Sequence, residues 1–118
     1  NAEGYAERFE AAGLSDRVTL PEQGPGRHVY NQYVVRVGGG ARDAVREALR
    51  AAGVGCAVYY PVPLHQQPCF RDDHEGALVA SEAAAQDSLA LPIAPGLTPA
   101  MQDEVVAVIR SALSGSAA

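Results

Sequence analysis

The segment Tyr59-Tyr60-Pro61-Val62-Pro63-Leu64-His65-Gln66-Gln67 crowds two phenols, an imidazole and two amides into one short stretch. Pro61 and Pro63 each remove a backbone donor and fix φ, so the segment is a stiff, non-repetitive loop. Loops at strand ends commonly carry ligand contacts. Tyrosine offers a flat apolar face plus a hydroxyl, which suits sugar or nucleotide groups. Composition alone leaves a second reading equally open: the tyrosines pack in the core, and the prolines merely turn the chain.

The other candidate chemistries are weaker. His65 and Cys69 stand at i, i+4, but Pro63 and Pro68 forbid a regular helix there, and zinc needs two further ligands. No metal site is expected. Asp72, Asp73 and Glu75, with His74 among them, match no EF-hand spacing and read as a solvated loop. Gly38-Gly39-Gly40 lacks the lysine and the spacing of a phosphate loop, so it reads as a turn. All nine basic residues are Arg, which excludes an amine nucleophile or Schiff-base lysine from this chain. No Ser/His/Asp order suggests acyl transfer, and no catalytic residue is expected. Cys56 and Cys69 are expected as free thiols.

These residues must be positioned by a single domain, which is what 118 residues provide. The apolar fraction is 47%, but 22 of those residues are Ala, so large core-formers are scarce. A net charge of −5 argues against a nucleic-acid or anionic-membrane partner. No apolar run approaches the ~18 residues of a membrane span, and no signal-peptide layout opens the chain. A soluble, cytoplasmic protein is expected.

Tyr5, Ala6, Phe9 and Ala12 predict a helix stopped by Gly13. A helix already running at residue 1 suggests a domain cut from a longer protein. The run 28–37 predicts a strand, with Val29, Tyr33, Val35 and Val37 sharing one face if Asn31 is tolerated there. Val45, Ala48, Leu49 and Ala52 predict a helix over 42–52, ended by Gly53. A second strand is expected over 54–60 and a third helix over about 79–89. The proline-rich 91–96 allows only a short edge segment. Thr98-Pro99 opens a last helix, with Met101, Val105, Val108, Ile109 and Ala112 on one face and a frayed tail at 114–118. The expected fold is α+β, with helices packed on one face of a small, partly antiparallel sheet.

Several of these stretches, in order, resemble the DegT/DnrJ/EryC1/StrS family of pyridoxal-phosphate-dependent sugar aminotransferases. His28-Val-Tyr-Asn-Gln-Tyr-Val-Val-Arg resembles the family's strand after its interdomain helix. Arg42-Asp43 to Gly53-Val54 resembles its "R-D … L … A-G-I" passage. Tyr59-Tyr60-Pro-Val-Pro-Leu-His65 resembles its H/Y-Y-P-x-P-L-H element, the most specific of the set. Ala83 to Pro95 and Leu97-Thr98 to Ile109 resemble the "A … L-x-L-P-I-x-P" stretch and the closing helix.

The resemblance implies the small C-terminal domain of a fold-type-I aminotransferase: residues 1–13 end an interdomain helix, 14–113 form the domain, and 114–118 are the tail. It implies amino transfer, typically from glutamate, to a keto group on a nucleotide-linked sugar. Pyridoxal phosphate would act in the parent enzyme, on a lysine of a missing N-terminal cofactor-binding domain, so this chain alone would be inactive. A homodimer is implied as well. Tyr59 and Tyr60 carry over as substrate contacts, able to reach the site of a partner subunit; His65 and Asn31 carry over as further contacts or structural residues. Many members have His where Tyr59 and Asn31 stand, so a group titrating near neutrality is lost at both positions. Some relatives lack the lysine and perform a dehydratase-type reaction. From another class, a stand-alone small-molecule-binding or dimerisation module fits the same α+β domain.

Overall fold

Two glycines set where the first two helices stop. The computed structural model describes residues 1–71 and 76–115, so Asp72, Asp73, His74 and Glu75 of the acidic loop, and 116–118 of the tail, lie outside the described residues. Helix α1 (Ala2–Ala11) ends at Gly13 (φ 69°), where the Gly13 amide donates to Glu10 O and the Leu14 amide to Phe9 O. Helix α2 (Arg42–Ala51) ends the same way at Gly53 (φ 75°), with Gly53 N–H on Arg50 O and Val54 N–H on Leu49 O. Both are Schellman caps, which need the left-handed conformation that glycine adopts without a Cβ clash.

Three strands follow: β1 (Val18–Thr19), β2 (Tyr33–Val37) and β3 (Ser88–Leu91), in the order β1-β2-β3 and antiparallel throughout. The register sets Tyr33 opposite Leu91 and Val35 opposite Leu89. Side chains alternate across a strand, so Tyr33, Val35, Val37, Leu89 and Leu91 form one buried face. Against it pack Tyr5 and Phe9 of α1, Val45 and Leu49 of α2, and Val105, Val106, Ile109 and Leu113 of α4 (Pro99–Gly115), in a single core cluster. Helix α4 touches both α1 and α2.

Helix α3 (Val79–Asp87) runs directly into β3. Arg36 of β2 grips Asp87 with two parallel hydrogen bonds, the Nη2–Oδ2 one 2.8 Å long. Arg42 Nη1 donates to the carbonyls of Ala85 and Ser88 at 3.2 and 3.1 Å, satisfying acceptors where α3 ends.

Several expectations change. The strand expected over 28–37 begins only at Tyr33, because Tyr30 sits at φ 48° and turns the chain, leaving Val29 76% exposed. The strand expected over 54–60 is reduced to one bridge, Ala57 with Ala90, cut short by Tyr60 at φ 60°. The third helix yields at Ser88, because Leu89 and Leu91 bury themselves opposite Val35 and Tyr33. The edge segment expected after 91 therefore lies earlier. The two-residue β1 had no legible signal.

The last helix starts as Thr98-Pro99 predicts, with Met101 N–H on Thr98 Oγ1 at 3.3 Å. Its buried stripe is Gln102, Val105, Val106, Ile109 and Leu113, while Met101 is half exposed and Val108 and Ala112 sit at the margin. The helix also continues through Ser114 and Gly115, two of the residues expected in the tail.

Candidate functional site

The antiparallel register brings the start of β2 and the end of β3 to the same end of the sheet. Asn31 and Gln32 immediately precede β2, Pro92 follows β3, and the Ala57–Ala90 bridge ties the 55–59 segment alongside. Between them lies an open hollow of about 300 Å³, lined by Asn31, Gln32, Cys56 and Tyr59 over Leu91 and Ile93. Tyr5 supports one wall from beneath, its hydroxyl donating to Pro92 O at 2.8 Å.

Two of the four sequence-predicted site residues, Asn31 and Tyr59, thus meet in one place although 28 positions separate them. The lining offers amides, a phenol and a thiol, with no charged side chain. Burial pushes the Cys56 thiol up, so it stays protonated, and it points weakly at Arg46 O (3.8 Å). Such a set donates and accepts hydrogen bonds without performing proton transfer or nucleophilic attack. It can hold hydroxyls and amides.

His65 lies elsewhere. A second hollow of about 540 Å³ is lined by Val62, His65, Gln66, Arg71, Gly76 and Glu82. There His65 Nε2 sits 3.0 Å from Glu82 Oε1, and the same oxygen accepts from the Leu78 amide at 3.0 Å. The His65 hydrogen bond, then the Leu78 amide, hold the Glu82 carboxyl below the usual carboxylate range. Tyr60 lines neither hollow and is 83% exposed.

Sequence reasoning missed Gln32, the neighbour of Asn31 just before β2, and Cys56, which the bridge to β3 brings to the site. It also missed Glu82, whose one legible signal is an acidic residue in the first turn of a helix. No group of three metal-ligating side chains comes together among the described residues.

A family model described as the DegT/DnrJ/EryC1/StrS aminotransferase family matches residues 1–110. The chain belongs to that family. A "Pleiotropic regulatory protein" of Geobacillus stearothermophilus is 38% identical over 90% of the chain and 28% of its own length. A UDP-N-acetyl-3-dehydro-alpha-D-glucosamine 3-aminotransferase of Acidithiobacillus ferrooxidans is 37% identical over 94% of the chain and 29% of its own. Among solved structures, NtdA of Bacillus subtilis, crystallised with bound cofactor PMP, superposes with TM-score 0.77 at 27% identity, over 96% of the chain and 27% of its own. The chain therefore spans less than a third of the length of these relatives. Its architecture is that of part of the fold-type-I aminotransferases, α+β with helices on a small antiparallel sheet.

Enzymes of this family use pyridoxal phosphate. The residues present here do not fit that cofactor by themselves. The chain has no lysine; the 300 Å³ hollow presents no cation for a phosphate and no carboxylate for a pyridine nitrogen, and in the second hollow the Glu82 carboxylate is already held by His65 and the Leu78 amide. No helix of the described residues is long and apolar enough to cross a membrane.

Proposed function

We propose that this chain is the C-terminal part of a pyridoxal-phosphate-dependent aminotransferase that moves an amino group, from glutamate, to a keto group on a nucleotide-linked sugar. The reading rests on family membership over residues 1–110 and on the named activity of the A. ferrooxidans relative. The observation that carries this chain's own share is the uncharged hollow in which Asn31 and Tyr59 meet. Hydrogen-bonding side chains over an apolar floor suit sugar hydroxyls or an acetamido group, and they orient the keto carbon without taking part in proton transfer. The lysine and the cofactor's phosphate cup belong to the remainder of the enzyme, and the isolated chain is inactive.

A second observation supports a missing remainder. Residues 59–70 contain no Asp, Glu, Arg or Lys, yet Tyr60, Leu64 (70%) and Phe70 are exposed. Charge-depleted, aromatic-rich surface is the composition of interface cores. We assign this face to contact with the cofactor-binding domain, with Tyr60 directed at the substrate of a homodimeric, cytoplasmic enzyme. Residues 1–13 enter the unit as the end of the helix linking the two domains, and Tyr5 and Phe9 seat that end in the core.

The test is turnover by the full-length protein, with glutamate and UDP- or dTDP-linked keto sugars, read by mass spectrometry of the amino sugar. Each of Asn31→Ala and Tyr59→Phe is expected to lower kcat/KM for the sugar about 2- to 10-fold, the value of one neutral hydrogen bond. Deamination of glutamate in the absence of sugar should stay unchanged. Sugar turnover indifferent to both substitutions would remove the hollow from the reaction. The regulatory name of the G. stearothermophilus relative favours a second reading, a non-catalytic ligand-binding or dimerisation module, for which sugar binding without amino transfer is the signature.

A further inference from the structure

The left-handed conformation of Tyr60 has no local cause. Its φ of 60° is one that bulky residues avoid, and Pro61 disfavours helical dihedrals at the position before it. With 83% of its surface in solvent, the side chain gains almost nothing from packing that could offset this. The restraint has to come from the segments on either side.

Upstream, the Ala57–Ala90 bridge fixes the chain through hydrogen bonds of 2.8 and 3.2 Å. Downstream, Pro61 and Pro63 stiffen the loop, and Pro63 is buried. A 3-10 turn at Leu64–Gln66 adds Gln66 N–H on Pro63 O at 3.0 Å. Gln67 closes the loop on itself, its amide on Leu64 O (3.1 Å) and its Nε2 on Val62 O (3.3 Å). These bonds make the loop rigid. His65 ties it to the rest of the molecule: only 10% exposed at its side chain, it is bonded to Glu82 seventeen residues on, and Gln66 also hydrogen-bonds that carboxylate. Glu82 is itself held by the Leu78 amide. With Ala57 and His65 both fixed and the φ of two prolines set between them, few backbone dihedrals remain to close the path, and Tyr60 is the residue that takes the strained one.

We infer that His65, Glu82 and the Leu78 amide form a clasp that holds Tyr60 in its left-handed conformation, making His65 and Glu82 positioning residues for the tyrosine pair rather than ligand contacts. The functional half of this inference rests on the reading of Tyr59 and Tyr60 as substrate contacts. The structural half does not.

The test is a double-substitution cycle in the full-length protein, with Tyr60→Gly and Glu82→Ala and with His65→Asn as a second way to open the clasp. Glycine relieves the cost of positive φ but adds unfolded-state freedom; the second effect cancels across the cycle. The change in Tm on Tyr60→Gly should be more favourable with the clasp intact than in Glu82→Ala or His65→Asn. Equal changes in all backgrounds overturn the clasp. In turnover, Glu82→Ala should raise KM for the nucleotide sugar about 10-fold, and Glu82→Gln, which keeps an acceptor, should restore it. A thermal coupling without a KM effect overturns the positioning role and leaves only a structural one. A protein that transfers no amino group to any sugar refutes the proposed function instead, and the thermal cycle still decides the clasp.

Discussion

Tyr5 and Tyr33 stack in the middle of the core with ring centroids 4.9 Å apart. Burial first, and a nearby phenol second (Tyr33 for Tyr5, Tyr30 for Tyr33), push each hydroxyl from the ordinary 10.0 up to about 12. A raised acid favours its neutral form in the fold, so the unfolded chain releases these protons first. Stability is fully present below pH 10 and falls between pH 10 and about 12, where the unfolded state binds fewer protons. Denaturant unfolding followed across that window should show the loss, and Tyr5→Phe should reduce its slope. The same substitution strips the donor from Pro92 O, at a cost of about 1 kcal/mol, and loosens a wall of the hollow that Asn31 and Tyr59 line. Tyr59 was legible as a candidate from the composition of its loop, whereas Asn31 was legible only through the resemblance of its strand to the family's. The partner of His65 was not. Glu82 lies seventeen positions away in another element, and only the folded path of the proline-rich loop brings the two together.

Element ends followed the sequence wherever a residue's own stereochemistry decides them. Gly13, Gly53 and Thr98-Pro99 mark their helix termini as read. The failures have two sources. Positive φ at Tyr30 and Tyr60 cuts the two expected strands short and leaves Val29 outside β2, while tertiary pairing draws Leu89 out of a helix to complete the sheet. Gly4 of α1 is a position where two effects oppose. Alanine there should gain up to about 1 kcal/mol of helix propensity, but its Cβ would clash with Gln102 Oε1. Gln102 is buried and donates to Asn1 O at 2.9 Å, so it has little room to give. Gly4→Ala is therefore expected to destabilise in thermal melts, and to become stabilising in a Gln102→Ala background. Leu49→Ala, which hollows the core where α2 meets the sheet and α4, should cost about 2–5 kcal/mol. If the melts rank Gly4→Ala above the unsubstituted chain, the packing of α1 on α4 described above is wrong.

On the scale of the whole molecule, the radius of gyration is 15.4 Å, with extents of 48 × 41 × 25 Å. A compact chain of this length would have about 13 Å. The excess fits a slab that presents the uncharged 59–70 loop outward. The isolated chain should bind a hydrophobic dye, with Leu64→Ser reducing the signal, whereas the full-length enzyme should not bind it at this face; equal binding by both would show that nothing covers the loop. Family membership was legible at this scale because its motifs sit at turning points of the chain, where residue identity is dictated locally.

The closure of α1 on α4 orders events in time. Arg8 of α1 bonds Asp103 of α4 at 2.6 Å, across 95 positions of sequence. At ribosomal rates of about 5–20 residues per second, α1 waits on the order of 5–20 s for that partner to be made. During that interval the strands, with Tyr33 that stacks on Tyr5, are made before α4 is, so Tyr5 and Phe9 lack only the cover of the last helix. A nascent chain paused before residue 99 therefore holds α1 against the sheet alone, with the side that α4 covers left open.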